Sequence, residues 1–281
     1  MARFGVLCCA VVLAVQLVSS LPVIPRADEV EDAKNALLMQ REDLFQGDIA
    51  GIDMDNRNGI LSPTKRWTNQ KVPYVIDPKF TASQRAVVEV AIAQINNSTN
   101  VLLVLRTTET SYIFIQAGAV NTGCYSYVGR VGGRQIVNLQ VPVPGYGTCI
   151  TVGIAVHEIT HAIGFYHEQS RTDRDNHVEI NWNNINPNQR HNFNNYDEKT
   201  ITHFGQPYDY DSVMHYGKYD FAIDRNVWTI RGKEPYEDTP IGQRRGLSPI
   251  DIAKMNAMYP IPKNPTTVAP TVQTDAPEPT N

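Results

Sequence analysis

The 281-residue chain has no G-x-x-x-x-G-K-[ST] loop and no G-x-S-x-G elbow, so two common phosphate-binding and serine-hydrolase signatures are missing. It has no long basic run, and its net charge is −4, so nucleic acid is not expected as a partner. Beyond residue 18 it has no apolar stretch approaching the ~20 residues needed to cross a bilayer, and no membrane span is expected. Cysteine is scarce: there are four, and Cys8 and Cys9 fall within an N-terminal apolar run.

That run, Val6 to Val18, follows Arg3 and ends with Val18 and Ser20 at the −3 and −1 positions before Leu21. These are the marks of a secretory signal peptide over residues 1–20, so a secreted, extracellular protein is expected. Only Cys124 and Cys149 then remain, and in an oxidising compartment two cysteines are expected to pair. The ordinary alternative is two buried free thiols.

Residues 21–57 are acidic, and Val30, Ala33, Leu37 and Leu44 recur at helical spacing. With Arg57 among polar residues as a processing point before Asn58, this segment reads as a propeptide; an ordinary N-terminal arm is the alternative. From Trp67 the texture changes. KVPYVID is strand-like, Val87, Val88, Val90, Ala91 and Ile95 mark a helix, and four further strand-like runs follow as far as RQIVNLQV. Asn96 and Asn97 each begin an N-glycosylation sequon, of which at most one is expected to be used. Thr151 to Gly164 is helical, and Ser248 opens a last helix with Pro249 at its first position and Asp251 in the capping-box position. Residues 262–281 form a Pro/Thr tail, a candidate for O-glycosylation that can build no core.

The chemistry concentrates in HEITHAIGFYHEQSRTDRD, which holds three of the seven histidines within eleven residues. His157 and His161 are four apart and share a helix face, so both rings can reach one ion. Glu158 beside them can bond a water on that ion without ligating it. HExxH alone leaves a metal site and a solvated polar face equally open. Gly164 permits a sharp turn, after which His167 can close a third side. H-E-x-x-H-x-x-G-x-x-H is the metzincin zinc signature, and SVMHY, with Met214, supplies the Met-turn that should follow it.

The longer string, together with CYSYVGR, INWNNI, PYDYDSVMHYG and IGQRRGLSPIDI, resembles the astacin family of zinc endopeptidases over nearly the whole chain after residue 20. The resemblance implies an α+β, bilobal catalytic domain over residues 58–261. Its N-terminal lobe is a mixed five-stranded sheet with two long helices, and its C-terminal lobe is mostly irregular with one C-terminal helix. It implies one Zn2+ held by His157, His161 and His167, with Glu158 as general base. Tyr216 is implied as a zinc ligand at rest that swings to the oxyanion, with Met214 beneath the site and His215 not a ligand. Phe45-Gln46-Gly47-Asp48 matches the family's F-x-G-D latency motif, in which Asp48 ligates zinc in the zymogen. Glu168 is implied as the partner of the N-terminus freed by an activating protease. The segment Cys124, Tyr125, Ser126 and Tyr127 corresponds to the cleft-edge strand that binds a protein or peptide substrate antiparallel. Arg244 and Arg245 fall near the primed side. The family's second cysteine pair falls on Asn100 and Ile261, so one disulfide is expected, in a monomer. His177, His191 and His203 have no ligand spacing and are expected to be structural or exposed.

Overall fold

The computed structural model describes residues 34–51, 63–196 and 202–261. The signal-peptide, Arg57–Asn58 and Pro/Thr-tail expectations lie outside them.

The chain is α+β. Strand β1 (Ile49–Ala50) lies in the described N-terminal segment, residues 34–51. Strands β2 (Lys71–Ile76), β3 (Leu102–Leu105), β4 (Tyr112–Gly118), β5 (Cys124–Tyr127) and β6 (Arg134–Gln140) follow, with helix α1 (Ala82–Ser98) crossing between β2 and β3. The order is β1-β5-β6-β4-β2-β3, and every pairing is parallel except β5 with β6. The five strands expected of residues 58–261 are β2 to β6, and a sixth joins them from outside that range. The sixth is β1, which covers the backbone edge that β5 would otherwise leave open. Pro73 does not interrupt β2: β4 pairs only from Tyr74 onward, so the missing N–H falls outside that ladder.

Thr81 and Gln84 form a capping box at the start of α1. Its buried face is Val88, Ala91, Ile92 and Ile95, narrower than the sequence suggested, because Val90 is exposed. In residues 34–51, helical backbone covers Lys34 to Leu37 and stops well short of Leu44.

Helix α2 (Val152–Ile163) is capped by the Thr151 hydroxyl and buried on all sides from Gly153 to Ile163. Its last four carbonyls all find donors. Gly164 N–H reaches Thr160, Gly129 N–H reaches His161, Trp67 Nε1 reaches Ala162 and the Tyr259 hydroxyl reaches Ile163. An interior helix end needs this, since an orphan carbonyl cannot reach water there. Gly164, at φ 139°, ends the helix in a conformation that L side chains avoid.

Cys124 and Cys149 form a disulfide, joining β5 to the loop that leads into α2. Closing this loop contributes roughly 3 kcal/mol in the chain-entropy model. Sheet, α1, α2 and the last helix, α3 (Pro249–Met258), share one apolar core. A second, smaller core of Val178, Ile185, Phe193, Tyr208, Tyr216, Phe221 and Ile230 lies under short 3-10 turns and the antiparallel pair β7 (Val178–Ile180) and β8 (Ile230–Gly232). At the site matching the family's absent second cysteine pair, Asn100 N–H donates to Asn256 Oδ1 at 2.7 Å, linking the end of α1 to α3. No helix among the described residues is long and apolar enough to cross a membrane.

Candidate metal centre

Three imidazoles and one carboxylate converge between the two cores. Nε2 of His157, His161 and His167 lies 3.1, 3.5 and 3.2 Å from the Asp48 carboxylate, and all four side chains are buried. The helix supplies His157 and His161 one turn apart, and the turn at Gly164 brings His167 back against them. Burial removes the solvated polar face as an account of HExxH: His157, Glu158 and His161 are all fully inaccessible.

The second ring nitrogens decide what the first can do. Nδ1 of His157 lies 2.7 Å from the Val213 carbonyl, that of His161 2.6 Å from the Phe165 carbonyl, and that of His167 2.8 Å from Gln46 Oε1. Each neighbour is an acceptor, so Nδ1 carries the proton and Nε2 presents its lone pair inward. Burial lowers the pKa of His157 well below its usual value and that of His167 to about 4, which keeps both neutral. Three lone pairs and a carboxylate facing one point repel unless a cation lies among them. Asp48 Oδ1 and His161 Nε2 have no hydrogen-bond partner, which is the signature of ligand atoms. Three nitrogens and one oxygen suit a tetrahedral, borderline-soft ion.

Glu158 lies beside this centre, and neither of its oxygens has a hydrogen-bond partner. Burial raises its pKa well above that of an ordinary glutamate; Asp48 adds to the rise and Arg244 opposes it. Tyr216, in the Met-turn, directs its hydroxyl to the Gln46 carbonyl at 2.8 Å. Its expected place as a resting metal ligand is not what is seen with residues 45–50 docked here. Burial raises its pKa too, so it remains a donor. Met214 is buried in the main core, and its carbonyl accepts the Glu168 N–H. His215 lies between the Tyr208 hydroxyl and the Tyr216 carbonyl, away from the convergence point.

The segment before residue 52 packs over the histidines and along β5. Asp48 O accepts the Ser126 N–H at 2.9 Å, and Ile49 and Ala50 pair with Ser126 and Tyr127 in parallel. Gly47, at φ 86°, has no room for a side chain, because a β-carbon there would run into the Met39 carbonyl. Gln46 was not singled out in the sequence. It is fully buried, and besides His167 it bonds the Ser170 hydroxyl and, through its N–H, Asn192.

The two arginines diverge. Arg244 turns inward, donating to the His215 and Gln243 carbonyls, and lines a small cavity with Asp48 and Tyr216. Arg245 is exposed and pairs with Asp211. Glu168 is buried and paired with Arg171 and Lys254, neither of which sequence spacing pointed to. At the glycosylation sequons, the Asn96 amide exchanges two hydrogen bonds with Leu103, whereas Asn97 is exposed.

The sequence profile of the Astacin peptidase family matches residues 59–260. The chain belongs to the astacin family. It is 37% identical over 221 residues to high choriolytic enzyme 1 of Oryzias latipes, covering 77% of each protein. It is 36% identical over 263 residues to zinc metalloproteinase nas-14 of Caenorhabditis elegans, covering 84% of this chain and 49% of the relative. The chain thus spans about half the length of that relative. The solved structure of high choriolytic enzyme 1, described as a hatching enzyme zinc-protease, superposes with a TM-score of 0.61 at 36% identity, over 75% of this chain and 98% of that one. This astacin-family chain thus carries a buried group of three histidines and one aspartate able to hold a metal ion.

Proposed function

We propose that this protein is a secreted zinc-dependent endopeptidase made as a zymogen. The observation that carries the reading is the convergence of His157, His161 and His167 Nε2 atoms beside an unpartnered, buried Glu158. His157, His161 and His167 hold the ion. Zn2+ in such a site supplies Lewis acidity, polarising a carbonyl and lowering the pKa of a water toward about 7.

Glu158 takes a proton from the attacking water and passes it to the leaving amine, a role suited to its raised pKa. The Tyr216 hydroxyl hydrogen-bonds the oxyanion; its present bond to a peptide carbonyl, that of Gln46, supports this aim. The β5 edge, Cys124 to Tyr127, binds an extended substrate antiparallel.

Asp48 holds the zymogen silent by occupying a ligand position. Strand β1 runs parallel to β5, opposite to the direction expected of substrate, which argues that the segment resists cleavage by its own site. Cleavage between Arg57 and Asn58 by an activating protease releases it. The new ammonium then joins Glu168, one of the residues lining a cavity of about 50 Å³.

The test is hydrolysis of casein by the trypsin-processed protein, with and without o-phenanthroline. Activity that persists in Glu158→Ala, or that the chelator leaves unchanged, overturns the mechanism.

A further inference from the structure

Gln40, in the propeptide segment, docks its side-chain amide at both ends onto the catalytic domain. Nε2 donates to Asp220 Oδ1 at 2.9 Å, and Oε1 accepts the Phe221 N–H at 2.9 Å. Both acceptor and donor sit on the turn that follows Tyr216. Asp220 Oδ2 is committed within that turn, accepting the Gly217 N–H at 2.8 Å, so Oδ1 is the oxygen that faces the cleft. Phe221 is held at φ 58°, a backbone conformation uncommon for a side chain of this size, and that conformation accompanies the N–H offered beside Oδ1.

The pair adjoins the metal centre. Asp220, Arg244, Tyr216 and Asp48 line one cavity of about 30 Å³, roofed by Ala36 and Met39 of the propeptide segment. When that segment leaves, Asp220 Oδ1 and the Phe221 N–H both lose their partner and open onto the cleft that a substrate enters.

We propose that Asp220 and the Phe221 N–H form a side-chain subsite beside the metal centre that selects a carboxamide, glutamine or asparagine, in a bound peptide. The inference rests on the endopeptidase reading for its use on substrates, but the subsite itself is a binding claim. One acceptor and one donor side by side match the N–H and C=O of an amide. A glutamate side chain sets its charge against Asp220. A leucine leaves both groups unpaired in a desolvated wall. A lysine satisfies Asp220 alone, leaves the Phe221 N–H unpaired and adds a cation near Arg244. Gln40 is then the propeptide's occupant of a site meant for substrate.

Two measurements separate the subsite from the chemistry. First, peptides spanning residues 34–51 are titrated against trypsin-processed Glu158→Ala protein, which leaves them uncut. The peptide with Gln40→Glu or Gln40→Leu is expected to bind at least tenfold more weakly than the native one. Asp220→Asn keeps an oxygen for Gly217 and turns an N–H toward the cleft, so two donors then face the occupant. In that variant the Gln40→Glu peptide is expected to bind at least as well as the native one. Second, the cleavage profile of the processed active enzyme on a peptide library is expected to show Gln and Asn enriched at one position near the scissile bond, moving to Glu in Asp220→Asn. Equal binding of the three peptides, or an Asp220→Asn profile unchanged from wild type, overturns the proposal. Binding with the expected pattern but no cleavage of any peptide overturns the endopeptidase reading and leaves the subsite standing.

Discussion

Lys254 Nζ donates to Glu168 Oε2 across 86 residues of chain, and both side chains are buried. The pair ties α3 to the residue directly after the third histidine. Glu168 also accepts from Arg171 and from the Asp209 N–H at 3.0 Å, so its charge is met from three sides. Removing one member of a buried pair leaves the other uncompensated, which costs about 3 kcal/mol. Lys254→Met is therefore expected to lower unfolding stability by about that amount in the unprocessed chain. If the freed N-terminus reaches Glu168, the loss in the processed protein is smaller. Equal losses in the two forms, by urea unfolding, count against that maturation step.

Asp48→Ala removes the carboxylate that meets all three imidazoles. The full-length variant is expected to hydrolyse casein without processing, at least tenfold above the unprocessed wild type. It should also yield its zinc to a chromogenic chelator faster, having lost one of four ligands. A variant as silent as wild type before cleavage sinks the latency role.

Glu158→Gln is expected to lower kcat of the processed enzyme by a factor on the order of 10³, with zinc content unchanged, because only the proton relay is lost. Tyr216→Phe is expected to lower kcat by a factor on the order of 10² with little change in KM, the pattern of a contact made in the transition state. A rise in KM with kcat intact argues instead for a substrate-binding role.

Asp251 joins the cap of α3 to the Met-turn, accepting the Ser212 hydroxyl and the Val213 and Ser248 N–H groups. Burial raises its pKa from 3.8 to about 6, against the pull of those donors. The unfolded chain therefore releases this proton at lower pH than the native one does. Between pH about 4 and 6 the native state binds the extra proton, so stability falls as pH rises through that window. Two units correspond to roughly 3 kcal/mol. Asp251→Asn is expected to flatten this slope, read as the difference between the two proteins' unfolding curves at pH 4.5 and 6.5. Parallel curves contradict it.

Much of the architecture was legible locally. The α1 face repeats every three to four residues, the Ser248–Asp251 cap lies within one turn, and His157 and His161 share a helix face through 3.6-residue periodicity alone. The segment before residue 52 was less legible. Leu44 continues the helical spacing of Leu37, yet the backbone has left the helix by Leu38, and tertiary docking of the Gln46–Gly47 turn replaces it. The sixth strand could not be foreseen either, because Ile49 and Ala50 become a strand only by pairing with a β5 edge 77 residues away.

The sequence by itself determined the zinc-type spacing and the helix that carries it, because both rest on short-range geometry; it left the two cysteines as an expected pair and matched Asp48 only through the family resemblance. Only the tertiary structure decided that Gln46 orients His167, that Arg244 turns inward while Arg245 turns out, and that Gln40 meets Asp220. These contacts join residues up to 180 positions apart, and their partners are set by packing and burial, which no local period encodes.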